Sequence, residues 1–217
     1  MDLNNIEDKD LMTIISTATG AVIALLSVVI TSLFNWKIKR KEIELKIKEK
    51  IFDKRIRAHE DILELAAMMR TTVSTNEKRA ENVLITYSVI FSNKESFISF
   101  QTFFYQKVNP NTHWLSNDLS RELSAIQDYI ATIKIAVEDI NSKNLPLVGM
   151  YVRNDFVDFA ATLENASMDF FIMDIIKLSL VPKKRFKNFS NEERQKRFQK
   201  SAYFQNYDEI IKVINQK

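Results

Sequence analysis

Leu11-Met-Thr-Ile-Ile-Ser-Thr-Ala-Thr-Gly-Ala-Val-Ile-Ala-Leu-Leu-Ser-Val-Val-Ile-Thr-Ser-Leu-Phe-Asn-Trp36 runs without a charged residue and is bracketed by Asp10 and Lys37. About 20 apolar residues rising 1.5 Å each cross a 30 Å hydrocarbon core. The stretch therefore predicts one transmembrane helix over 11–36, with the membrane as an integral partner. Two other readings compete. A cleaved signal peptide needs a basic n-region, a shorter apolar core and small residues at the cleavage site. Here the preceding residues are acidic, and bulky Phe34-Asn35-Trp36 closes the run. The buried core helix of a soluble protein is the second competitor.

Working outward, the flanks set an orientation. Residues 1–10 carry Asp2, Glu7, Asp8 and Asp10 against Lys9, a charge of −3. Residues 37–57 carry Lys37, Lys39, Arg40, Lys41, Lys46, Lys48, Lys50, Lys54, Arg55 and Arg57 against Glu42, Glu44, Glu49 and Asp53, a charge of +6. Positive flanks stay in the cytoplasm. The expected organisation is a short extracytoplasmic tail (1–10), the span (11–36), a basic juxtamembrane stalk (37–57) and a cytoplasmic domain (58–217), with the protein in the plasma (inner) membrane. Trp36 fits an interfacial anchor.

The span is not uniformly apolar. Thr13, Thr17, Gly20, Ala24, Ser27 and Thr31 follow one another at steps of 4, 3, 4, 3 and 4. Lipid supplies no hydrophobic drive for helix association, so spans associate by close approach through small residues. This seam predicts a homo-oligomer. The competing view is that Ser, Thr, Gly and Ala are common in membrane helices anyway.

The rest of the chain reads as all-α. It has no cysteine, two glycines (Gly20, Gly149) and three prolines (Pro110, Pro146, Pro182). Without cysteine there is no disulfide framework, thiolate nucleophile or thiolate metal site. Scarce glycine argues against folds built on tight turns and phosphate loops. The expected architecture is the transmembrane helix continuing through the stalk to about Arg70, then a cytoplasmic helical bundle of four to five helices. Leu45, Phe52, Ile56, Leu63 and Ala66 form a heptad-like stripe on the first helix, with His59 in line. Thr71-Thr-Val-Ser-Thr75 predicts a break, and Ser74-x-x-Glu77 a capping box opening a helix to about Lys107. Its inward residues would be Val83, Tyr87, Ile90, Phe97 or Ile98, and Phe104, although Val83–Phe91 is rich in strand formers.

The clearest period comes later. Leu119, Leu123, Ile126, Ile130, Ile133, Val137 and Ile140 step by 4, 3, 4, 3, 4 and 3, between an N-cap near Ser116 and a stop at Asn141–Asn144. This seam suits an intrachain bundle or an intermolecular coiled coil. Leu145–Gly149 reads as a linker. A helix from about Met150 to Leu180 follows, with Phe156, Phe159, Leu163, Phe170 and Phe171 inward and Asp155, Asp158, Asp169 and Asp174 on a solvated face. Ser190-x-x-Glu193 predicts a second capping box and one last helix to about Asn215.

Residues 183–200 carry Lys183, Lys184, Arg185, Lys187, Arg194, Lys196, Arg197 and Lys200 against Glu192 and Glu193, a charge of +6 interleaved with Phe186, Phe189 and Phe198. With the whole chain at +3, everything outside the tail, stalk and this segment sums to −6. A basic segment with aromatics suits anionic lipid headgroups, nucleic acid or plain solvation. A chain already tethered to a membrane favours the headgroups; a membrane-tethered nucleic-acid-binding module is the alternative. Catalytic patterns are absent. Arg55-x3-His59 misses the Arg-x4–6-His spacing of helical HEPN-type ribonucleases, and no His-Glu-x-x-His, di-iron Glu-x-x-His pair or glycine-rich phosphate loop occurs. His59 reads as a partly buried helix residue and His113 as a surface or packing one. No catalytic residue, metal ligand or cofactor is expected.

The order of span, Lys/Glu-rich stalk and Lys54-Arg-Ile-Arg-Ala-His-Glu-Asp-Ile-Leu-Glu-Leu65 resembles a loose class of single-pass proteins of bacterial chromosomes, prophages and plasmids. Membrane-anchored abortive-infection (phage-defence) proteins share this layout. The resemblance spans about residues 10–70 and carries over no functional residue. Taken with the small-residue seam and the missing catalytic patterns, the expectation is a non-enzymatic membrane protein that self-associates and engages a cytoplasmic protein partner, as a membrane-acting effector in phage defence.

Overall fold

Neither proline nor a second glycine interrupts the first 70 residues, and a single helix, α1 (Asn4–Arg70), forms there. The structure is a computed structural model that describes residues 4–77, 83–172 and 189–215. The chain divides into two units, Met1–Phe52 and Asp53–Lys217. In the first, the fourteen large apolar side chains from Leu11 to Trp36 stand 53–75 % exposed. This part of α1 has a mean hydropathy of 2.2 and is long and apolar enough to cross a membrane. Further along, Lys48 pairs with Glu44 one turn back at 2.8 Å.

In the second unit, the end of α1 buries Ala58, His59, Ile62, Leu65, Ala66 and Met69. The predicted stripe meets this face only at His59 and Ala66; Leu63 is half-buried, and Leu45, which belongs to the first unit, is 63 % exposed.

The expected helix from Ser74 to Lys107 is replaced over its first half by a hairpin. β1 (Thr72–Glu77) pairs antiparallel with β2 (Val83–Ser88), with Ser74 opposite Thr86 and Thr75 opposite Ile85. The β-branched residues win here because β2 has something to alternate against. Ile85 and Tyr87 are buried, while Leu84, on the opposite face of the strand, is 62 % exposed. Ser74 caps nothing; its Oγ lies 2.8 Å from Thr86 Oγ1 across the pair. A 3₁₀ turn (Val89–Phe91) follows, and α-helix resumes at α2 (Lys94–Phe103), where Asn93 accepts a hydrogen bond from Ser96 N. A π-helical turn (Phe104–Val108) and a 3₁₀ turn (Asn109–Trp114) follow, with Pro110 in the first turn of the latter.

α3 (Asn117–Asp139) starts where the sequence places it, with Ser116 Oγ accepting from Leu119 N. All seven seam residues, Leu119 to Ile140, are at most 3 % exposed within the one chain, so that face is already covered. The expected linker 145–149 is instead the opening of α4 (Leu145–Phe170). Pro146 is tolerated because first-turn N–H groups have no intrahelical partner. α4 is the centre of this unit and packs against β2, α3, α6 and α7. Phe156 lies 5.3 Å from Phe91 and 6.0 Å from Phe100, ring centre to ring centre. Arg70, at the end of α1, pairs with Glu164 on α4. The reading of Met150–Leu180 as one helix extends beyond the described residues, as do Asp174 and Pro182.

The expected last helix is three: α5 (Asn191–Gln199), α6 (Ala202–Gln205) and α7 (Tyr207–Asn215). The Ser190–Glu193 capping box is formed at the start of α5. The chain then breaks because Ser201 re-caps it, accepting from Phe204 N at 3.3 Å.

Gly149 shows how closely α4 approaches the hairpin. A Cβ built there would lie 2.5 Å from Phe91 Cβ and 3.2 Å from Tyr87 Cβ. Alanine in a helix is ordinarily about 1 kcal/mol better than glycine. Here Gly149→Ala is expected to destabilise instead, by about 1–3 kcal/mol of overpacking. A lowered thermal unfolding midpoint of the purified chain checks this; an unchanged or raised one contradicts the close approach.

Candidate functional site

Asp155 is the one carboxylate buried in the described core, at 9 % exposure. It stands on α4 between Val152 and Phe156, not on a solvated face. Burying a charge is costly unless it is paired or hydrogen-bonded, and Asp155 gains three donors. Tyr129 Oη on α3 donates to Oδ2 at 2.5 Å. The backbone N–H groups of Ala202 and Tyr203 donate to Oδ1 and Oδ2 at 2.7 and 2.9 Å. Asp155 thus caps α6 from another helix and joins α3, α4 and α6 at one point. Burial first, then the charge of Asp155 and the hydrogen bond to it, hold the Tyr129 phenol well above its ordinary range. Burial and the neighbouring Tyr207 raise Tyr203 as well.

Above this point lies a cleft of about 590 Å³ between α3, α4 and α5. Its walls are Ala125, Tyr129, Thr132, Phe159 and Thr162, with Phe198 leaning in from α5. Its rim is ionic. Arg194 donates to Asp128 at 2.6 Å, and Arg197 forks onto both oxygens of Glu122 at 2.8 and 3.1 Å. Phe189 lies between two guanidinium groups, 4.2 Å from Arg121 and 4.4 Å from Arg197. The cleft therefore offers an aromatic wall and a closed set of ion pairs. Among the described residues no group of three or more His, Asp or Glu could hold a metal ion.

The predicted functional residues fall in separate places. Thr13, Thr17, Gly20, Ala24, Ser27 and Thr31 are exposed on α1. Thr17 and Ser27 turn their hydroxyls back onto the carbonyls of Thr13 and Ile23, both at 2.8 Å. Of the basic segment, Lys183, Lys184, Arg185 and Lys187 lie outside the described residues. Arg194, Lys196 and Arg197 sit on α5 and Lys200 at its C-terminal cap, and both arginines are engaged by α3. His59 is fully buried rather than partly so, with Nδ1 2.8 Å from Arg55 O and its ring stacked 3.6 Å from Phe170. His113 packs beside Trp114.

Tyr129, Glu122 and Asp128 were not singled out by the sequence, and Asp155 was assigned to a solvated face although it is buried. One signal existed: Val148, Val152, Asp155, Phe159 and Leu163 share an apolar line, so the carboxylate stood at an inward position. Comparison with protein-family models, with curated proteins and with solved structures gives no match to this chain.

Two measurements check the Asp155 centre. Asp155→Ala strands a phenol and two amide donors and is expected to cost about 3–5 kcal/mol in denaturant unfolding. Because the folded phenol resists ionisation, wild-type stability should fall as pH climbs past about 10, where the unfolded tyrosine ionises. Tyr129→Phe should be less stable at neutral pH but show a shallower loss in that alkaline window.

Proposed function

We propose that this protein is a non-enzymatic, single-pass membrane protein. α1 crosses the membrane at residues 11–36 with the N-terminus outside, and the unit beginning at Asp53 forms a cytoplasmic helical bundle. The chain self-associates through the Thr13–Thr31 seam and presents the bundle to a protein partner. It acts at the membrane, in the manner of the anchored phage-defence effectors that its layout resembles.

One observation carries the reading: the uncharged stretch Leu11–Trp36 holds fourteen large apolar side chains, all more than half exposed. Burying one such side chain is worth about 1.5–3 kcal/mol. Leaving all of them in water would forgo on the order of tens of kcal/mol, against about 5–15 kcal/mol for a typical domain's stability. Lipid covers such a stretch at no cost to the cytoplasmic fold. The change from −3 before the span to +6 after it supports the orientation. Gly20 is a clean position at which to test the seam, because a Cβ built there meets nothing within 4 Å. A larger side chain would therefore leave the isolated helix undisturbed and be felt only by a partner.

Deleting residues 11–36 should move the protein from carbonate-resistant membranes to the soluble fraction. Gly20→Leu should keep it in membranes but weaken crosslinked oligomers by roughly tenfold in apparent affinity. Unchanged crosslinking in the Gly20→Leu chain would remove the seam from the proposal, and a deletion variant that still pellets with membranes would remove the span.

A further inference from the structure

α5 is fastened differently from its neighbours. α6 buries Tyr203, and α7 buries Ile210 and Val213, but α5 buries none of its residues completely. Half-buried Phe198 is its main apolar contact, 6.5 Å from Tyr129 and 5.8 Å from Tyr203. What else holds α5 against α3 is charge: the Arg194–Asp128 pair, the Arg197–Glu122 fork, and the stacking of Arg121 and Arg197 on Phe189. Both arginines of the basic helix are thereby neutralised by acidic side chains of the same chain. Lys196 and Lys200, on the same short helix and its cap, are exposed.

We propose that Arg194, Lys196, Arg197 and Lys200 form an anionic-lipid contact surface that Glu122 and Asp128 mask until headgroups compete for it. This rests on the reading of the chain as membrane-anchored. The mask is of a kind that gives way. Ion pairs near the surface are weak and are screened by salt; the Arg194–Asp128 pair is 33 and 57 % exposed, while the Arg197–Glu122 fork, 47 and 19 % exposed, is the firmer of the two. The competitor is well matched, since phosphate accepts the same forked guanidinium bonds as a carboxylate. Anchoring keeps headgroups at a high effective concentration around the cytoplasmic unit. A membrane poor in anionic lipid leaves α5 on α3; an anionic one draws it off. Release exposes the wall of the 590 Å³ cleft that α5 flanks, including Tyr129 and Phe159. Lipid composition is thus coupled to the surface the cytoplasmic unit presents. α6 stays in place through this step, because Asp155 holds it by hydrogen bonds from Ala202 N and Tyr203 N that do not involve α5.

The chain has no cysteine, so two introduced ones are unique labelling sites. Thr132→Cys on α3 and Gln195→Cys on α5, both lining the cleft, would carry spin labels in the full chain reconstituted into nanodiscs. Discs of phosphatidylcholine alone should give one short interlabel distance. Discs containing phosphatidylglycerol should shift most molecules to a longer one, and Glu122→Gln with Asp128→Asn should give the longer distance in both. One short distance in both discs, for the wild type and the double variant alike, would overturn the mask. Lengthening caused by an added RNA oligonucleotide in phosphatidylcholine discs, with none caused by phosphatidylglycerol, would overturn the lipid assignment. Co-elution with the discs reads anchoring separately. A chain that stays out of them overturns the membrane reading and this surface with it, whereas one that enters with an unmoved α5 overturns this surface only.

Discussion

The carboxylate of Asp155 is the point through which three sequence-distant segments are joined. It reaches the phenol of Tyr129, 26 positions back, and the amides of Ala202 and Tyr203, 47 and 48 positions ahead. Each donor answers a separate need. The phenol is buried and requires an acceptor; the two amides open α6, a four-residue helix too short to persist without capping. Because one group meets all three needs, the positions of α3, α4 and α6 are not independent. The placement of α7 follows, since Tyr207 begins it two residues after α6 ends. Asn144 reinforces the arrangement from the other end, donating its side-chain amide to Val213 O at 3.3 Å.

The second constraint is steric. α4 can serve as the centre only if β2 and the turn after it lie close against it, and Gly149 removes the Cβ that would prevent this. With that approach allowed, Phe91 reaches Phe97 and Phe156, and the aromatic cluster continues through Tyr129 and Phe159. One glycine and one aspartate on the same helix therefore decide which elements it can touch. The first works by omission, the second by offering acceptors.

These two residues also mark the limit of what the sequence discloses. Features depending on neighbours within a few positions were legible: the unbroken α1, its end at Arg70, the cap at Ser116, the capping box at Ser190 and the mostly helical character. Features depending on a partner far along the chain were not. Val83–Ser88 became a strand because β1 and α4 cover it on two sides, although Ser74-x-x-Glu77 offered a helix start. Leu145–Gly149 looked like a linker because Pro146 and Gly149 usually interrupt; one sits in a first turn, the other at a close contact. Asp155 was assigned to solvent with the other aspartates of its helix, yet it shares the line of Val152, Phe159 and Leu163. The engagement of Arg194 and Arg197 was hidden for the same reason, since Glu122 and Asp128 lie 75 and 66 positions away.

The chain uses two kinds of attachment in its last thirty residues, and the difference is one of solvent response. α6 and α7 are held by buried apolar side chains and by a buried carboxylate, interactions that salt and surface charge barely reach. α5 is held by ion pairs at a cleft rim, with a single aromatic side chain reaching inward. If docking were the only requirement on α5, an apolar face like that of α7 would serve better, since an exposed ion pair such as Arg194–Asp128 is worth about 0–1 kcal/mol. An electrostatic fastening gives something an apolar one cannot: sensitivity to other anions. For a chain whose long apolar helix suits it to a membrane, the anions nearest at hand are those of the bilayer.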